Sequence, residues 1–171
     1  FGGADLTNIG LTDVDLTGVS LVGVNMPGAQ ASGATLASAD LTDAVLLDAN
    51  LTGAVLDDAN LTGVDLTDVI MSGVSAQRAT FTGAMFATTL MTAVDFTGAV
   101  LGGVSILDSS MGQAVLAGAD LSGVHLTGVN LTEGDLSGAI VTGATLSDVN
   151  LNTANLTDAD WLYGGDRETI R

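Results

Sequence analysis

The amino-acid sequence predicts an all-β solenoid rather than a conventional globular domain. Counted from Phe1, every position ending in 1 or 6 is apolar as far as Trp161, with no insertion. Helices repeat near 3.6 residues and strands at 2, so a period of five held over about 160 residues excludes both as the governing geometry. The chain has 23 glycines and only 4% aromatic residues, which would make a poor globular core. A rod of short stacked units remains.

Each group of five residues has recognisable structural roles. In residues 39–43 the sequence reads Ala, Asp, Leu, Thr, Asp, and residues 49–53 and 59–63 repeat it closely. The first and third residues point inward and the second points outward, which predicts a very short strand. Thr or Ser then precedes Gly, Asp or Asn, the residues that tolerate the unusual φ of a corner. Each pentad is therefore expected to form one side of a polygon.

These pentads resemble the signature of the pentapeptide-repeat family, which is Ala, then Asp or Asn, then Leu or Phe, then two loosely specified residues. The resemblance covers residues 4–163. It implies a right-handed quadrilateral β-helix with four pentads per coil, so that residues 20 apart stack. About eight coils at about 4.8 Å per rung would make a rod about 38 Å long. We expect the β-helix to occupy residues 1–163 and a polar tail or cap to occupy residues 164–171.

Stacking every 20 residues predicts specific neighbours in the core. Ala76 is undersized for an inward central position, but Phe96 lies one coil further along the same column and should fill the space. Phe81, Phe86, Met91 and Phe96 should form one unusually bulky coil.

The same register predicts neighbours on the surface. Asp58 and Arg78 share an outward column and should form an ion pair. Asp48 and Asp68 also share a column, and two carboxylates about one rung apart could bind a cation weakly.

Composition excludes several classes of function. The net charge is −17, from 20 acidic residues against three arginines, and no lysine occurs. Direct nucleic-acid or anionic-lipid binding is therefore not expected, whereas a protein partner or a cation is compatible. No apolar run approaches the roughly 20 residues that span a bilayer, so membrane insertion is not expected. Alternatively, Asp serves only as a small, solubilising corner residue, and an extracellular or high-salt environment would favour the same composition.

An enzyme is not expected, because an uninterrupted convex rod supplies no concavity in which catalytic groups converge. The single histidine, His125, falls at an outward strand position, where a solvated side chain is the simplest interpretation. Gly53 and Gly63 fall at corners, and without lysine they cannot complete a phosphate-binding loop. With no cysteine, thiolate sites are excluded, and we expect no catalytic residue, cofactor or bound metal.

The four inferred sides differ in charge. Two opposite sides carry six aspartates each, whereas the side through Leu11 and Leu51 has only Asp13 and Glu133. That nearly neutral side also places two apolar residues outward, and a third lies on the adjoining side, which predicts a contact patch. The alternative is a tolerated irregularity with scattered surface hydrophobics. The candidate patch residues are Ile70, Met85 and Leu90.

Two non-catalytic functions fit these features. The first is a scaffold for protein interaction or self-assembly, in which coil ends stack into a filament through Phe1, Trp161, Leu162 and Tyr163. Because the chain begins at Phe1 rather than Met, we also expect a processed, truncated or excised segment.

The alternative comes from the resemblance, which implies a DNA mimic that binds type II topoisomerases and protects them from quinolones. Repeat-borne carboxylates would occur about once per 2.1 Å, against about once per 1.7 Å along duplex DNA. Against it, the inward centres are mostly Leu, no loop interrupts the coils, and the final residues are polar.

Overall fold

Residues 20 apart pair as parallel β-bridges throughout the computed structural model, which describes residues 1–161. The bridges run from Asp5↔Asn25 to Ile140↔Asp160 without a change of register. Four pentads therefore make one coil, and the described residues form eight coils of a quadrilateral parallel β-helix. This confirms the number of sides and the number of coils expected from the resemblance.

Four short strands lie on one side of the rod and form a parallel sheet in chain order. They are β1 (Met85–Ala87), β2 (Ser105–Leu107), β3 (His125–Thr127) and β4 (Thr145–Ser147). Within the described residues, the other pentads pair through one outward residue each, because the chain turns a corner immediately afterwards.

The backbone hydrogen bonds divide between the two neighbours of each coil. Leu6 N donates to Asn25 O at 2.7 Å, and Asn25 N donates back to Ala4 O at 2.9 Å. An outward residue such as Asn25 therefore directs both backbone groups toward the preceding coil. The inward residues on either side of it pair with the following coil, so every coil joins two others through the same ladder.

The corners use backbone conformations that the sequence pattern predicts. Every position ending in 3 or 8, from Gly3 to Asp158, has a positive φ, and half of these residues are not glycine. At most of these residues, a hydrogen bond such as Ile9 N to Leu6 O, at 3.0 Å, closes the turn. Gly63 is constrained further, because a Cβ added there would lie 2.3 Å from Asp43 Oδ1 in the preceding coil.

The core is a stack of inward side chains, and its aromatic part lies in the middle of the rod. The rings of Phe81, Phe86 and Phe96 contact one another, with centroids 5.2 to 6.5 Å apart. Ala76 and Phe96 occupy the same inward column and are both fully buried, as is Met91. The predicted bulky coil is confirmed, and Ala76 and Phe96 share a buried column as predicted.

Two buried hydroxyls mark a change of corner geometry after β1 and β2. Thr89 N donates to Ser109 Oγ at 3.1 Å instead of closing a turn onto Phe86. The Thr89 hydroxyl donates to Leu66 O at 2.9 Å, and the Ser109 hydroxyl donates to Leu107 O at 2.8 Å. Both side chains are buried at inward positions that elsewhere mostly hold Ala or Val, and Ser109 Oγ accepts the Thr89 amide, which the open corner would otherwise leave without its usual acceptor.

We expect Leu61→Asp to break the stack in its middle. Leu61 is fully buried, so the substitution loses its apolar burial and places a carboxylate among aliphatic groups, which should cost about 4 kcal/mol or more. Because coils are stabilised by their neighbours, unfolding in urea followed by circular dichroism should show two transitions.

Gly53→Asp is the matched control for that substitution. It adds the same charge at a corner position, and Asp43, Asp48 and Asp58 adopt the same positive φ at equivalent corners. A Cβ at Gly53 meets no atom within 4 Å. Its unfolding free energy should stay within about 1 kcal/mol of wild type. Equal unfolding free energies of the two variants would contradict the burial of Leu61 in the core.

Candidate interaction surfaces

The 20-residue register places the acidic residues on defined sides of the rod. Two opposite sides carry six aspartates each, and the side through Leu11 and Leu51 has only Asp13 and Glu133. The aspartates of the first acidic side are Asp5, Asp48, Asp65, Asp68, Asp108 and Asp148, and those of the second are Asp15, Asp57, Asp58, Asp95, Asp135 and Asp158.

Many outward carboxylates are fixed by the corner that follows them. Asp40 Oδ1 accepts hydrogen bonds from Thr42 Oγ1 at 2.5 Å and from Thr42 N at 3.1 Å. Asn50 makes the same contacts with Thr52, at 2.7 and 3.0 Å. Asp and Asn therefore accept the same hydrogen bonds at this outward position, and they differ there only in charge.

These hydrogen bonds favour the ionised form of the aspartates that accept them. At Asp40 the Thr42 hydroxyl and then the Thr42 amide lower the pKa, and Thr7 and Thr17 act in the same way on the pKa of Asp5 and Asp15. At Asp135 the Ser137 amide leads in lowering the pKa.

The pKa of Asp95 is also lowered, although this residue is partly buried. Desolvation is the largest single influence on its pKa and raises it, but hydrogen bonds from Thr97 and Gln77 together outweigh that effect. The pKa of Asp95 therefore also lies below its usual value, and both acidic sides include carboxylates that resist protonation.

The predicted ion pair between Asp58 and Arg78 is confirmed. Arg78 Nε lies 2.7 Å from Asp58 Oδ1, and Nη2 lies 2.8 Å from Oδ2, so the guanidinium engages both carboxylate oxygens. The Arg78 hydrogen bond is the main cause that lowers the pKa of Asp58. Arg78 is the only lysine or arginine in residues 1–161, and this pair occupies it.

The three predicted patch residues are exposed as expected, and a fourth belongs with them. Leu90 stacks directly on Ile70, and the exposed fractions of Ile70, Met85 and Leu90 are 37%, 54% and 48%. Leu107 is 43% exposed and pairs with Ala87, two residues along β1 from Met85. Sequence reasoning missed Leu107, although Leu at a corner position usually held by Thr or Ser is a readable signal. We call these four residues the apolar patch.

Carboxylates border the apolar patch. Asp65 pairs with Met85 as the preceding rung of the same outward column. Asp68 and Asp108 occupy the corner column between Met85 and Leu90, one rung below and one rung above Thr88. Asp68 accepts a hydrogen bond from the Thr88 hydroxyl. We call Asp65, Asp68 and Asp108 the acidic rim.

The candidate end contacts are only partly described. Phe1 is 70% exposed and begins a regular turn, closed by Ala4 N donating to Phe1 O at 2.9 Å. Trp161 is partly buried against the core. Leu162 and Tyr163 lie outside the described residues, as do residues 164–171, so the predicted tail stays a prediction.

The remaining candidate sites can be placed as well. His125 is exposed, and its Nδ1 lies 2.6 Å from the Thr145 hydroxyl on the next rung. Across residues 1–161, no group of three or more potential metal ligands occurs. Cation binding by Asp48 and Asp68 stays a prediction. Over the same residues, no helix is long and apolar enough to cross a membrane.

Comparison with protein families gives one match that covers most of the chain. A family described as Pentapeptide repeats matches with eight copies. Among curated proteins, no sequence matches this chain. The matched ranges, which leave residues 85–108 uncovered, are 1–37, 11–48, 34–73, 44–84, 109–148 and 135–160.

Solved structures of similar fold include two of QnrB1, a plasmid-mediated fluoroquinolone resistance protein. The full-length form is 14% identical with a TM-score of 0.56, covering 98% of this chain and 91% of QnrB1. A trypsin-treated form is 20% identical with a TM-score of 0.57, covering 98% of this chain and 84% of QnrB1. HetL, a pentapeptide repeat protein involved in heterocyst differentiation regulation from the cyanobacterium Nostoc sp. strain PCC 7120, is 24% identical, with coverage of 94% and 88% and a TM-score of 0.38.

The lowered pKa of Asp40 predicts a specific loss of stability in acid. Because its pKa in the folded state lies below the unfolded value of about 3.9, its ionised form stabilises the fold above that pH, and this contribution disappears as pH falls through the folded value. Asp40→Asn keeps the acceptor geometry seen at Asn50 but cannot titrate. The excess stability of wild type over Asp40→Asn at pH 7 should therefore shrink below about pH 4.

Urea unfolding at a series of pH values measures this difference. Asp13→Asn is the control for net charge, because the Asp13 side chain accepts no hydrogen bond within residues 1–161. Its change is subtracted from that of Asp40→Asn. A corrected difference that stays constant or widens in acid would contradict the assignment.

Proposed function

The chain belongs to the pentapeptide-repeat family and folds as a right-handed quadrilateral β-helix, and we propose that it acts as a non-catalytic scaffold for protein–protein contacts, including end-to-end stacking of its own copies. The observation that supports this proposal is the uniform ladder along the rod. A ladder that repeats every 20 residues can be continued by any coil of the same geometry.

The first coil is incompletely covered in the structure. Val14 occupies an inward column and is 37% exposed, whereas Ala34 and Ala54 are fully buried in the same column. A further coil below the first would bury these inward side chains in the way that each coil buries the next.

Backbone amides of the first coil lack partners among residues 1–161 that later coils have. In the second coil, the outward amides of Asn25, Gln30 and Thr35 each donate to the coil below. The amides of Asp5, Gly10 and Asp15 have no such acceptor within residues 1–161. The last rung of a neighbouring copy could take the place of a further coil below the first. Phe1 and Trp161 would then lie near the contact, and in this proposal so would Leu162 and Tyr163. Such head-to-tail contacts do not close and produce filaments.

One alternative function has a specific observation in its favour. The two acidic sides carry ionised carboxylates on opposite sides of a narrow rod, an arrangement that suits mimicry of DNA toward a type II topoisomerase. The similarity to QnrB1 concerns the fold alone. Exposed apolar residues on the nearly neutral side have no role in that alternative, so the scaffold is preferred.

We expect concentration-dependent filaments that Gly10→Pro weakens. Proline removes an amide that faces away from the second coil, so the fold keeps its internal ladder while the end contact loses a donor. Light scattering and negative-stain microscopy should show assembly whose midpoint concentration rises about 5-fold or more in the variant. Gly10→Ala is the matched control, since it keeps the amide, and a Cβ there meets no atom within 4 Å. Monomers at all concentrations, or equal assembly of both variants, would contradict end stacking.

A supercoiling assay with DNA gyrase separates the two functions. The scaffold proposal predicts unchanged supercoiling at protein concentrations well above that of the enzyme, with and without a fluoroquinolone. Inhibition by the protein, or protection of gyrase from the drug, would instead favour DNA mimicry.

A further inference from the structure

We propose that the apolar patch and its acidic rim form a lateral docking surface for a protein segment that presents apolar side chains flanked by Lys or Arg. This assignment rests on the proposed scaffold role and specifies its partner. It uses the side of the rod, whereas end stacking uses the coil ends, so the two contacts are physically separate.

The apolar patch spans three successive coils, with Ile70 one rung below Leu90 and Leu107 one rung above Ala87. Of the nine large apolar side chains that are exposed within residues 1–161, four lie between residues 85 and 107. They are Met85, Leu90, Leu107 and Val100, of which Val100 lies on the side opposite Leu90 and is not part of the apolar patch. Three of the four patch residues, Met85, Leu90 and Leu107, lie within residues 85–108, which the family match leaves uncovered. The departure from the repeat and the surface apolar groups therefore coincide.

The structure beneath the apolar patch is also specialised. Residues of β1 and β2 extend past the usual bridge position, so Met85 and Leu107 project from a continuous parallel pairing rather than from separate corners. The hydroxyls of Thr89 and Ser109 support the open corner that leads from β1 and β2 to the next side. A rigid support of this kind lowers the entropy cost of presenting exposed side chains to a partner.

Charge identifies the partner. The acidic rim contributes three carboxylates around the apolar patch, and Arg78, the one lysine or arginine of residues 1–161, is paired with Asp58 at another corner. A cationic partner would bring positive charge to these carboxylates while its apolar side chains cover Met85 and Leu90. A second copy of this chain is a poor occupant, because it carries a net charge of −17 and no lysine.

A synthetic peptide with two leucines, separated by one serine and flanked on each side by two lysines, is the probe. Its binding to the full chain is measured by fluorescence anisotropy at low and physiological salt. We expect the double variant Met85→Ser and Leu90→Ser to weaken binding about 10-fold or more, equivalent to about 1.4 kcal/mol. These serines should not disturb folding, because Ser105 and Ser110 occupy the next rungs of the same columns.

Charge variants test the acidic rim separately. Asp68→Asn with Asp108→Asn should weaken binding about 3-fold or more at low salt and reduce its salt dependence. Asn is compatible with this corner column, since Asn8 adopts the same positive φ there. Asp15→Asn with Asp135→Asn removes equal charge from the opposite side and should leave binding unchanged.

Several outcomes would overturn the assignment. The assignment is wrong if the peptide does not bind, or if a peptide with serines in place of the leucines binds equally well. It is also wrong if both pairs of Asn substitutions weaken binding equally while the Ser substitutions have no effect. A dimer that the Ser substitutions dissociate would make a second copy the occupant instead. Because the substitutions at Asp68, Met85, Leu90 and Asp108 all lie outside the first coil, a negative result leaves the Gly10 assembly experiment as an independent test of the scaffold.

Discussion

The parallel backbone ladder between residues 20 apart is the constraint on which the rest of the structure depends. Each outward residue, such as Asn25, uses both of its backbone groups toward the preceding coil, and its inward neighbours use theirs toward the following one. A coil by itself would leave these groups unpaired and its apolar side chains uncovered. The stability of the fold therefore depends on the stacking of coils. The surface features likewise depend on which residues share a column.

The sequence predicts the inward and corner positions because these depend only on the local period of five. Leu61 is buried and Asp43 has a positive φ for reasons visible within their own pentads. The period alone does not determine how many pentads close a coil, and that number came from the resemblance. The contacts of Arg78 with Asp58 and of Leu90 with Ile70 then follow from it, and both are present.

The features that sequence reasoning missed all depend on contacts between coils. Thr89 is buried at a position where a small apolar residue is usual, because its hydroxyl reaches Leu66 O in the preceding coil and its amide reaches Ser109 in the following one. Leu107 is exposed because the backbone of β2 continues past the bridge position beside it. A repeat signature averages over pentads, so it carries no information about which particular corner opens.

The columns also explain how a rod with a net charge of −17 tolerates close stacking. Within residues 1–161, no aspartate at an outward strand position has another aspartate on the adjacent rung of its column. Amides often take that place: Asn25 Nδ2 donates to Asp5 Oδ1 at 3.3 Å, and Asn155 Nδ2 donates to Asp135 Oδ1 at 2.9 Å. Alternation of carboxylate and amide replaces repulsion along the column with a hydrogen bond. The outward strand positions of the acidic sides therefore hold charge without opposing the ladder, whereas Met85, Leu90 and Leu107 are exposed without cover from within residues 1–161, and the proposed partner would supply that cover.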